Sequence, residues 1–454
     1  MNVLEVHAMW PRLSDELAAP EYGECLARHL VKVLSDGDLS LRGLVRRAAG
    51  AYPIVVRDVI QILINQGRVV ENEGLYSVNE VALRRSTVGL NAEPRPRATE
   101  SAQCPSISTR ERRFSDPHPA DYDWRYTLNC RADLVRRVVQ VVECSGRVAL
   151  LGCPTLLPEL ANKKRAVVLF DRNERVLRDL GAMGFCEGIV HHDLFDPIPG
   201  TTAWYDLVIA DPPWYRPFQR AFVLRASELL SNGGLLLLGT LPWLTRPEAP
   251  KDRAEVFNFT LGAGFNVAGV EQGVLSYESP RFEVASLQMQ GMNCGEWRTG
   301  DLWTFKKARE PVEGLATPRP ADELQWDEYE VGRRRLKVRR RKEPCPSEFR
   351  AEFVDTTAVL GDVSRRNPLR SKIDLWTSDN EAFSVSRLEI MRRALECLQN
   401  GEGAQDTTTK LRATYSLSQR EVQSLSRILS HFGNLERTSA ELVTQSPAHG
   451  TNSL

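Results

Sequence analysis

Between residues 122 and 307, short apolar runs alternate with stretches that carry apolar residues at helical spacing. The runs are almost continuously apolar, which is typical of parallel strands buried on both faces by helices. The runs predicted as strands are 147–152, 165–171, 188–193, 205–210, 233–240, 265–270 and 281–287. The helices predicted between them cover 156–160, 173–180 and 218–230. The pattern therefore predicts an α/β domain around a mostly parallel seven-stranded sheet.

Residues 1–85 show a different pattern, typical of a winged-helix domain. The predicted elements are a helix capped by Ser40, a helix over 55–64 and a two-stranded wing over 68–78. Such domains bind duplex DNA, form dimers or cover a substrate. The second of these helices offers only Arg57 as a basic group, which is weak support for DNA binding.

The segments around the α/β domain are predicted from their composition. Residues 86–121 form a linker, because 93–119 is rich in Pro, Ser, Thr and Arg and lacks apolar periodicity. Residues 308–380 are predicted as a charged linker or extension. They contain an acidic stretch and then a basic run from Arg333 to Lys342, which contacts nucleic acid or an acidic partner, or else pairs with the acidic stretch before it.

The C-terminal region is predicted to be mainly helical. Residues 381–440 form a helical unit, and its faint similarity to the first helical segment suggests a second winged-helix-like domain. Ser418 and Glu421 form a capping box that opens a helix, and Gly433 is predicted to end it. Residues 441–454 are predicted to be disordered.

Composition narrows the functional classes only a little. Lys plus Arg equals Asp plus Glu, 59 against 59, so no global positive field indicates nucleic acid. Nine cysteines without a Cys-x-x-Cys pair argue against a zinc ribbon or a disulfide framework and favour a reducing compartment. His191 and His192 have no partners at metal-ligand spacing, so no metal site is predicted. Without a signal-peptide pattern or a long apolar run, we expect a cytoplasmic protein.

The tetrapeptide Asp211-Pro212-Pro213-Trp214 carries the strongest chemical signal, because it directly follows the predicted strand 205–210. The carboxylate of Asp211 and a proline carbonyl can accept both N–H bonds of an amino group. The rigid Pro212-Pro213 step keeps these acceptors in place, and the Trp214 ring can stack on a flat group. The motif predicts a site that holds an amino nitrogen; the alternative is a simple turn after a buried strand.

Four residues fall at the ends of predicted strands: Gly152, Asp171, Asp193 and Asp211. In parallel α/β sheets, ligands bind outside the carboxyl ends of the strands. An acid about 20 residues after the first glycine is placed to accept ribose hydroxyls, as in dinucleotide-binding folds. The four strand ends together predict a nucleoside site and make a simple turn at Asp211 a poor explanation.

Residues 122–290 resemble the class I S-adenosylmethionine-dependent transferases, which have a Rossmann-like fold. The segment 229–235 is similar to that family's helix, Gly-Gly turn and fifth strand, and Asp211-Pro212-Pro213-Trp214 is similar to the signature of its amino-group methyltransferases. The resemblance implies cofactor contacts by Asp171 at the ribose and Asp193 near the adenine amino group. It also implies that Asp211 and Pro212 hold the target nitrogen while Trp214 stacks on the substrate.

The resemblance extends to further candidate residues. The first loop, Leu151-Gly152-Cys153-Pro154-Thr155-Leu156, supplies Gly152 and Cys153 to the cofactor, although it has one glycine where the family has Gly-x-Gly-x-Gly. Thr127 is placed against the methionine part of the cofactor. The substrate candidates besides Trp214 are Tyr215, Glu278 and Phe282, the last two in segment 277–283, which forms the turn into the predicted seventh strand.

The domain order resembles the branched-chain polyamine synthases, the N4-bis(aminopropyl)spermidine synthases. Segments 171–177 and 193–199 are similar to that family, and the resemblance implies aminopropyl transfer from decarboxylated S-adenosylmethionine. The consecutive acids of that family's glycine loop are replaced here by Cys153, Pro154 and Thr155, so a polycation would lose favourable charge contacts.

These observations favour methyl transfer from S-adenosylmethionine to an amino nitrogen by SN2 attack. Aminopropyl transfer is one alternative, and a catalytically silent, nucleic-acid-binding regulator is another. The candidate partners are an amine-bearing acceptor (a nucleic acid, a protein lysine or a polyamine), nucleic acid at the winged helix or the basic run, and a second copy of the chain in a homodimer. No membrane partner is expected.

Overall fold

The computed structural model describes residues 20–79, 114–121, 123–200, 204–320, 325–341 and 348–444. The chain divides into two compact units. The first comprises Met1–Ser115, Trp124–Ser279 and Gly291–Pro320. The second comprises Asp116–Asp123, Pro280–Gln290 and Ala321–Leu454. Most of the predicted linker 86–121 and the end of the predicted tail 441–454 lie outside the described residues.

The N-terminal domain, within residues 20–79, consists of three helices and a small antiparallel sheet. The helices are α1 (Pro20–Ser35), α2 (Leu41–Arg47) and α3 (Pro53–Asn65), and the strands are β1 (Leu39–Ser40), β2 (Val69–Asn72) and β3 (Leu75–Val78), in the order β1-β3-β2. Ser40 caps α2, since its side chain accepts the N–H of Gly43. The predicted helices and hairpin are present, whereas the winged-helix assignment itself stays a prediction.

The rest of the first unit is built on a seven-stranded sheet in the described residues. Its strands are β4 (Arg147–Leu151), β5 (Ala166–Asp171), β6 (Ile189–His191), β7 (Tyr205–Ala210), β8 (Leu230–Thr240), β9 (Phe265–Ser276) and β10 (Thr299–Lys307). The order is β6-β5-β4-β7-β8-β10-β9. Strands β4 to β8 pair in parallel, and β10 pairs antiparallel with both β8 and β9. The predicted mostly parallel, Rossmann-like sheet is confirmed.

Helices cover both faces of this sheet. They are α4 (Leu128–Val141), α5 (Leu156–Ala161), α6 (Glu174–Ala182), α7 (Arg216–Leu229) and α8 (Ala249–Gly262). Successive strand residues enter opposite cores: Leu150 packs with the side chains of α4 and α5, and Leu151 with those of α7 and α8. Burial on both faces is the reason why these strands are almost continuously apolar.

The seventh strand was predicted in the wrong place. Residues 281–287 form not a strand but the start of helix α9 (Arg281–Met289), which belongs to the second unit. The every-second-residue spacing of Phe282 and Val284 imitates a strand, yet Phe282, Ser286 and Leu287 lie on one buried helical face. The seventh strand is β10. Its sequence includes the charged residues Asp301, Lys306 and Lys307, so it lacks the continuous apolar run by which the other strands were predicted.

The second unit contains an antiparallel sheet where a charged linker was predicted over 308–380. In the described residues its strands are β11 (Trp326–Val331), β12 (Arg334–Arg339), β13 (Ala351–Phe353), β14 (Leu375–Thr377) and β15 (Ala382–Val385), in the order β11-β12-β14-β15-β13. The basic run is largely strand β12, and β11 is the acidic stretch before it, with Glu328 opposite Lys337. The structure therefore bears out pairing with the acidic stretch.

Residues 381–440 contain β15 and three helices that pack with this sheet, so the helical unit is part of a mixed α/β domain. The helices are α10 (Leu388–Gln399), α11 (Ala404–Tyr415) and α12 (Gln419–Thr444), and their apolar side chains share one core with the sheet. The Ser418–Glu421 capping box is present, with both reciprocal bonds. Gly433 does not end the helix, because α12 continues to Thr444.

In the part of the chain that the structure describes, no helix is long and apolar enough to cross a membrane. No group of three or more His, Cys, Asp or Glu side chains in the same residues is arranged to hold a metal ion.

Candidate active site

The carboxyl edge of the parallel strands brings the predicted residues together. Asp211 directly follows β7, which lies between β4 and β8, and its N–H donates to the carbonyl of Leu151 at 3.1 Å. Gly152 directly follows β4, Asp171 ends β5, and Asp193 lies two residues beyond β6. A common edge is the consequence of parallel pairing, so the sequence was sufficient to predict it.

Two buried tyrosines lie at the carboxylate of Asp211. The hydroxyl of Tyr277 donates to Asp211 Oδ1 at 2.9 Å, and Tyr126 is close enough to influence the pKa of this carboxylate. The two rings lie 5.2 Å apart, and both side chains are at most 2% exposed. Burial raises the pKa of Asp211 to about 7, although both tyrosine side chains act to lower it. Asp211 is thus poised to exchange a proton near neutral pH.

Glycines in the two neighbouring strands make room for this arrangement. A Cβ atom on Gly239, in β8, would lie 2.5 Å from Asp211 Oδ1. A Cβ atom on Gly300, in β10, would lie 3.1 Å from Trp214 Cζ2 and 3.2 Å from the Tyr277 hydroxyl. Both glycines therefore belong to the site as the residues that permit close approach.

Trp214 is held beside Asp211 through its ring and its backbone. Its ring meets that of Tyr277 edge to face, with the centroids 5.6 Å apart. Its carbonyl accepts a hydrogen bond from Arg246 at 2.7 Å, and Arg246 also forms a buried ion pair with Asp252 at 2.7 Å. The turn is closed by the Tyr215 N–H, which donates to the Pro213 carbonyl at 2.7 Å. That bond does not use the Pro212 carbonyl, the second predicted acceptor.

A guanidinium group surrounded by indoles lies next to Trp214. The Arg298 guanidinium carbon is 3.7 Å from the ring centroid of Trp124, 4.8 Å from that of Trp297 and 5.6 Å from that of Trp214. Such stacking positions a planar cation by its π contacts. Sequence reasoning missed this cluster, although the adjacent Trp297-Arg298 pair was a visible signal.

The glycine loop is built for close backbone packing. Gly152 has φ +65°, and a Cβ atom there would lie 3.0 Å from the ring of Phe222 and 3.4 Å from the Asp211 carbonyl. Glycine is therefore required on both grounds. Cys153 is buried, with its thiol directed at the Leu151 carbonyl at 3.3 Å, and burial raises its pKa well above the ordinary value. The thiol is a small core side chain and not a nucleophile.

The two acids predicted to bind the nucleoside differ in their surroundings. Asp171 accepts the N–H of Asn173 at 2.8 Å, which orients the carboxylate at the end of β5. Asp193 accepts the N–H of Phe195 on one oxygen, and the other oxygen accepts from Arg319 at 2.6 Å and from Arg172 at 3.4 Å. Burial by itself would raise the pKa of Asp193, but these donors outweigh it and lower the pKa.

The remaining candidates have structural roles in this structure. Thr127 caps α4, accepting the Cys130 N–H at 3.3 Å and bonding to the Ser276 hydroxyl at 2.7 Å. Tyr215 precedes α7, and its ring lies under Arg246. Glu278 is partly exposed and lies 3.9 Å from Arg131. Phe282 is buried in α9 of the second unit, so it is a core residue there.

Comparison with protein-family models and with curated proteins finds no match. Among solved structures, the chain is similar to the branched-chain polyamine synthase from Thermus thermophilus in complex with N4-aminopropylspermidine and 5'-methylthioadenosine, at 19% identity over 71% of this chain and 97% of that chain, with a TM-score of 0.48. It is also similar to the T. thermophilus 16S rRNA N2 G1207 methyltransferase, at 16% identity over 52% of this chain and 56% of that chain, with a TM-score of 0.28. Identities and TM-scores this low do not establish an activity for this chain.

Proposed function

We propose that the protein is an S-adenosylmethionine-dependent methyltransferase that acts on an amino nitrogen of a flat acceptor, such as the exocyclic amino group of a nucleobase. The observation that carries the proposal is the carboxylate of Asp211 at the carboxyl end of a central strand, held by the buried Tyr277 hydroxyl, with the Trp214 ring beside it. This combination suits a planar group that carries N–H donors.

The residues at the sheet edge fit an S-adenosyl group. The carboxylate of Asp171 is oriented at the end of β5 by its bond from Asn173, and carboxylate oxygens are the kind of acceptor that ribose hydroxyls bind. Gly152 lets the backbone after β4 approach closely, and Asp193 has one oxygen that its guanidinium partners do not contact. The cofactor would supply a methyl group on a sulfonium already activated for attack by a nucleophile.

In this mechanism the protein orients the nitrogen and manages its proton. Ionised Asp211 accepts an N–H of the acceptor and so directs the nitrogen lone pair away from the carboxylate. Transfer of the methyl group from the sulfonium would leave positive charge on the nitrogen, and Asp211 would stabilise that charge. The proton then leaves to Asp211 Oδ or to water. A carboxyl group with a pKa of about 7 is suited to accept that proton.

The cation at Arg298 supports a flat acceptor over a polyamine. The Arg298 guanidinium carbon lies 5.6 Å from the centroid of the Trp214 ring, so a polyamine bound at that ring would bring an ammonium group towards a like charge. Like charges repel, whereas a neutral base or an adjacent phosphate would be favoured. The glycine loop, with Cys153, Pro154 and Thr155, adds no carboxylate to offset the repulsion. Aminopropyl transfer is therefore the less favoured alternative.

The test begins with calorimetric titration of the full chain with S-adenosylmethionine and with its decarboxylated form. We expect tighter binding of S-adenosylmethionine, and methyl transfer from it to single-stranded oligonucleotides containing all four bases rather than to spermidine. Asp211→Asn should abolish transfer while leaving cofactor affinity within a few-fold, and the exposed Asp133→Asn on α4 should match the wild type. Tighter binding of the decarboxylated form with spermidine as acceptor would replace methyl by aminopropyl transfer. Binding of neither ligand, together with salt-dependent oligonucleotide binding, would favour the silent regulator.

A further inference from the structure

The N-terminal domain contacts two segments of the first unit that lead directly to the acceptor side of the candidate site. One is the β8 loop, defined here as residues 241–246, which follows β8 and ends at Arg246. The other is the β10 approach, residues 295–298, which precedes β10 and ends at Arg298. Both segments belong to the same compact unit as the N-terminal domain.

The contact with the β8 loop is close and geometrically specific. The Leu244 N–H donates to the Ala49 carbonyl at 3.1 Å, and the Tyr22 hydroxyl donates to the Leu244 carbonyl at 2.8 Å. Ala49 has φ 48° and Gly50 has φ 84°, a left-handed turn that brings the backbone to the loop. A Cβ atom on Gly50 would lie 2.7 Å from Thr245 Oγ1, so only glycine permits this approach.

The contact with the β10 approach uses different residues of the same domain. Arg46 Nε donates to the Glu296 carbonyl at 2.9 Å. The ring of Tyr52, just before α3, meets that of Trp297 edge to face, with the centroids 5.6 Å apart. Trp297 is also one of the indoles around Arg298.

Each segment ends on a residue that touches Trp214. Arg246 holds the Trp214 carbonyl, and its buried pair with Asp252 keeps the guanidinium in place. Arg298 lies against the Trp214 ring. The residues assigned to the cofactor are Gly152, Asp171 and Asp193. The hydrogen bonds described for them above join other residues of the first unit, outside the N-terminal domain and these two segments.

We propose that the N-terminal domain is a positioning module for the acceptor site, which sets Trp214 through Arg246 and the Trp297–Arg298 pair and leaves the cofactor side unaffected. Tyr22, Gly50, Tyr52 and Arg46 are positioning residues, since they act through these two segments. The proposal gives the domain a role in acceptor binding, and it rests on the proposed function for the identity of the acceptor.

The test compares two glycine variants of the full-length protein. Gly50→Ala should push the β8 loop away, because the new Cβ atom would overlap Thr245 and Pro242. Gly74→Ala, in the β2–β3 turn, is the matched control: its φ of 79° imposes a similar backbone strain, but nothing lies within 4 Å of its Cβ position. Tyr22→Phe removes one hydrogen bond without a steric change and serves as the milder variant.

We expect faster amide hydrogen exchange in segments 213–218, 241–246 and 295–300 of Gly50→Ala, and not of Gly74→Ala. With the oligonucleotide acceptor, KM should rise on the order of tenfold in Gly50→Ala and a few-fold in Tyr22→Phe, while the calorimetric Kd for S-adenosylmethionine stays unchanged. Unchanged exchange in these segments would overturn the inference even if the enzyme is active. If Gly50→Ala shows the faster exchange expected here but the protein binds no S-adenosyl ligand, the proposed function would be overturned and the inference about the N-terminal domain would stand.

Discussion

At the scale of single residues, the ionisation of Asp211 controls the chemistry that we propose. Burial favours the neutral acid, and the hydroxyls of Tyr277 and Tyr126 favour the carboxylate; the result is a pKa of about 7. The same burial raises the pKa of both tyrosines well above the ordinary value, so they remain protonated donors at neutral pH. The two phenols therefore tune the carboxylate without competing for its proton.

We predict that Tyr277→Phe moves the pH profile of methyl transfer to higher pH. Transfer requires ionised Asp211, so kcat/KM should rise as the pH increases through about 7 in the wild type. The Tyr277 hydrogen bond lowers the pKa of Asp211, and its loss must raise that pKa. Measuring kcat/KM against pH tests the shift. Tyr205→Phe, at the opposite end of β7, is the control, and an unmoved profile in Tyr277→Phe would refute the assignment.

At the scale of elements, the site depends on the two strands that follow β7 in the sheet order, β8 and β10. The antiparallel insertion of β10 between β8 and β9 places Gly300 next to Trp214, and β8 places Gly239 against Asp211. The side chains of the motif thus occupy volume that neighbouring strands leave empty. A glycine within a strand normally lowers the stability of that strand; here the missing side chains of Gly239 and Gly300 make room for the site.

We predict that Gly239→Ala abolishes transfer while the sheet still forms. Its Cβ atom would lie 2.5 Å from Asp211 Oδ1, so the carboxylate must move away from the Tyr277 hydroxyl. Overpacking of this kind costs about 1–3 kcal/mol, which a domain of this size can tolerate. Gly269→Ala in β9 is the control, because its Cβ position has its closest contact at 3.9 Å. Turnover measures the transfer, and circular dichroism shows whether the fold is retained. Full activity in Gly239→Ala would contradict the claim that the new Cβ atom displaces the Asp211 carboxylate.

At the scale of the whole molecule, the second unit is stabilised by a buried ionic network. Asp121 accepts from Arg335 at 2.6 Å and also pairs with Lys337, and Arg335 contacts Glu328 at 2.8 Å. Burial by itself would raise the pKa of Asp121, but the two cations outweigh it and hold the pKa far below its usual range. Nearby, burial lowers the pKa of His118 to about 3, so this imidazole is neutral at physiological pH. Arg335 and Lys337 of the basic run therefore form ion pairs within the second unit.

We predict that Asp121→Asn destabilises the second unit by about 3–5 kcal/mol at pH 7, since Glu328 alone then faces the two buried cations Arg335 and Lys337 and one positive charge is left unpaired. Because the pKa is depressed in the folded state, the contribution of Asp121 is present above about pH 4 and is lost as the pH falls further. Urea unfolding at pH 7 and at acidic pH measures both effects. Arg393→Ala, which breaks the exposed Arg393–Glu396 pair, should change stability little. An equally small effect of Asp121→Asn would show that the network is not stabilising.

The sequence by itself determined the parallel strands and the residues at their carboxyl ends. Apolar runs and helical periodicity are local signals, and parallel pairing puts Gly152, Asp171, Asp193 and Asp211 at one edge whatever the details of packing. Local sequence patterns also correctly predicted the helix capped by Ser40 in the N-terminal domain and the capping box at Ser418.

Only the tertiary structure decided what surrounds Asp211 and where the charged segments belong. Tyr277 lies 66 residues from Asp211 in the chain, and Arg335 lies 214 residues from Asp121, so no local pattern links them. The linker predicted over 308–380 forms strands in which the charges of β11 and β12 pair across the sheet, while Leu336 and Val338 enter the core with the C-terminal helices. Long-range contacts set the pKa of Asp211 and the room around it, and both depend on packing between elements distant in sequence.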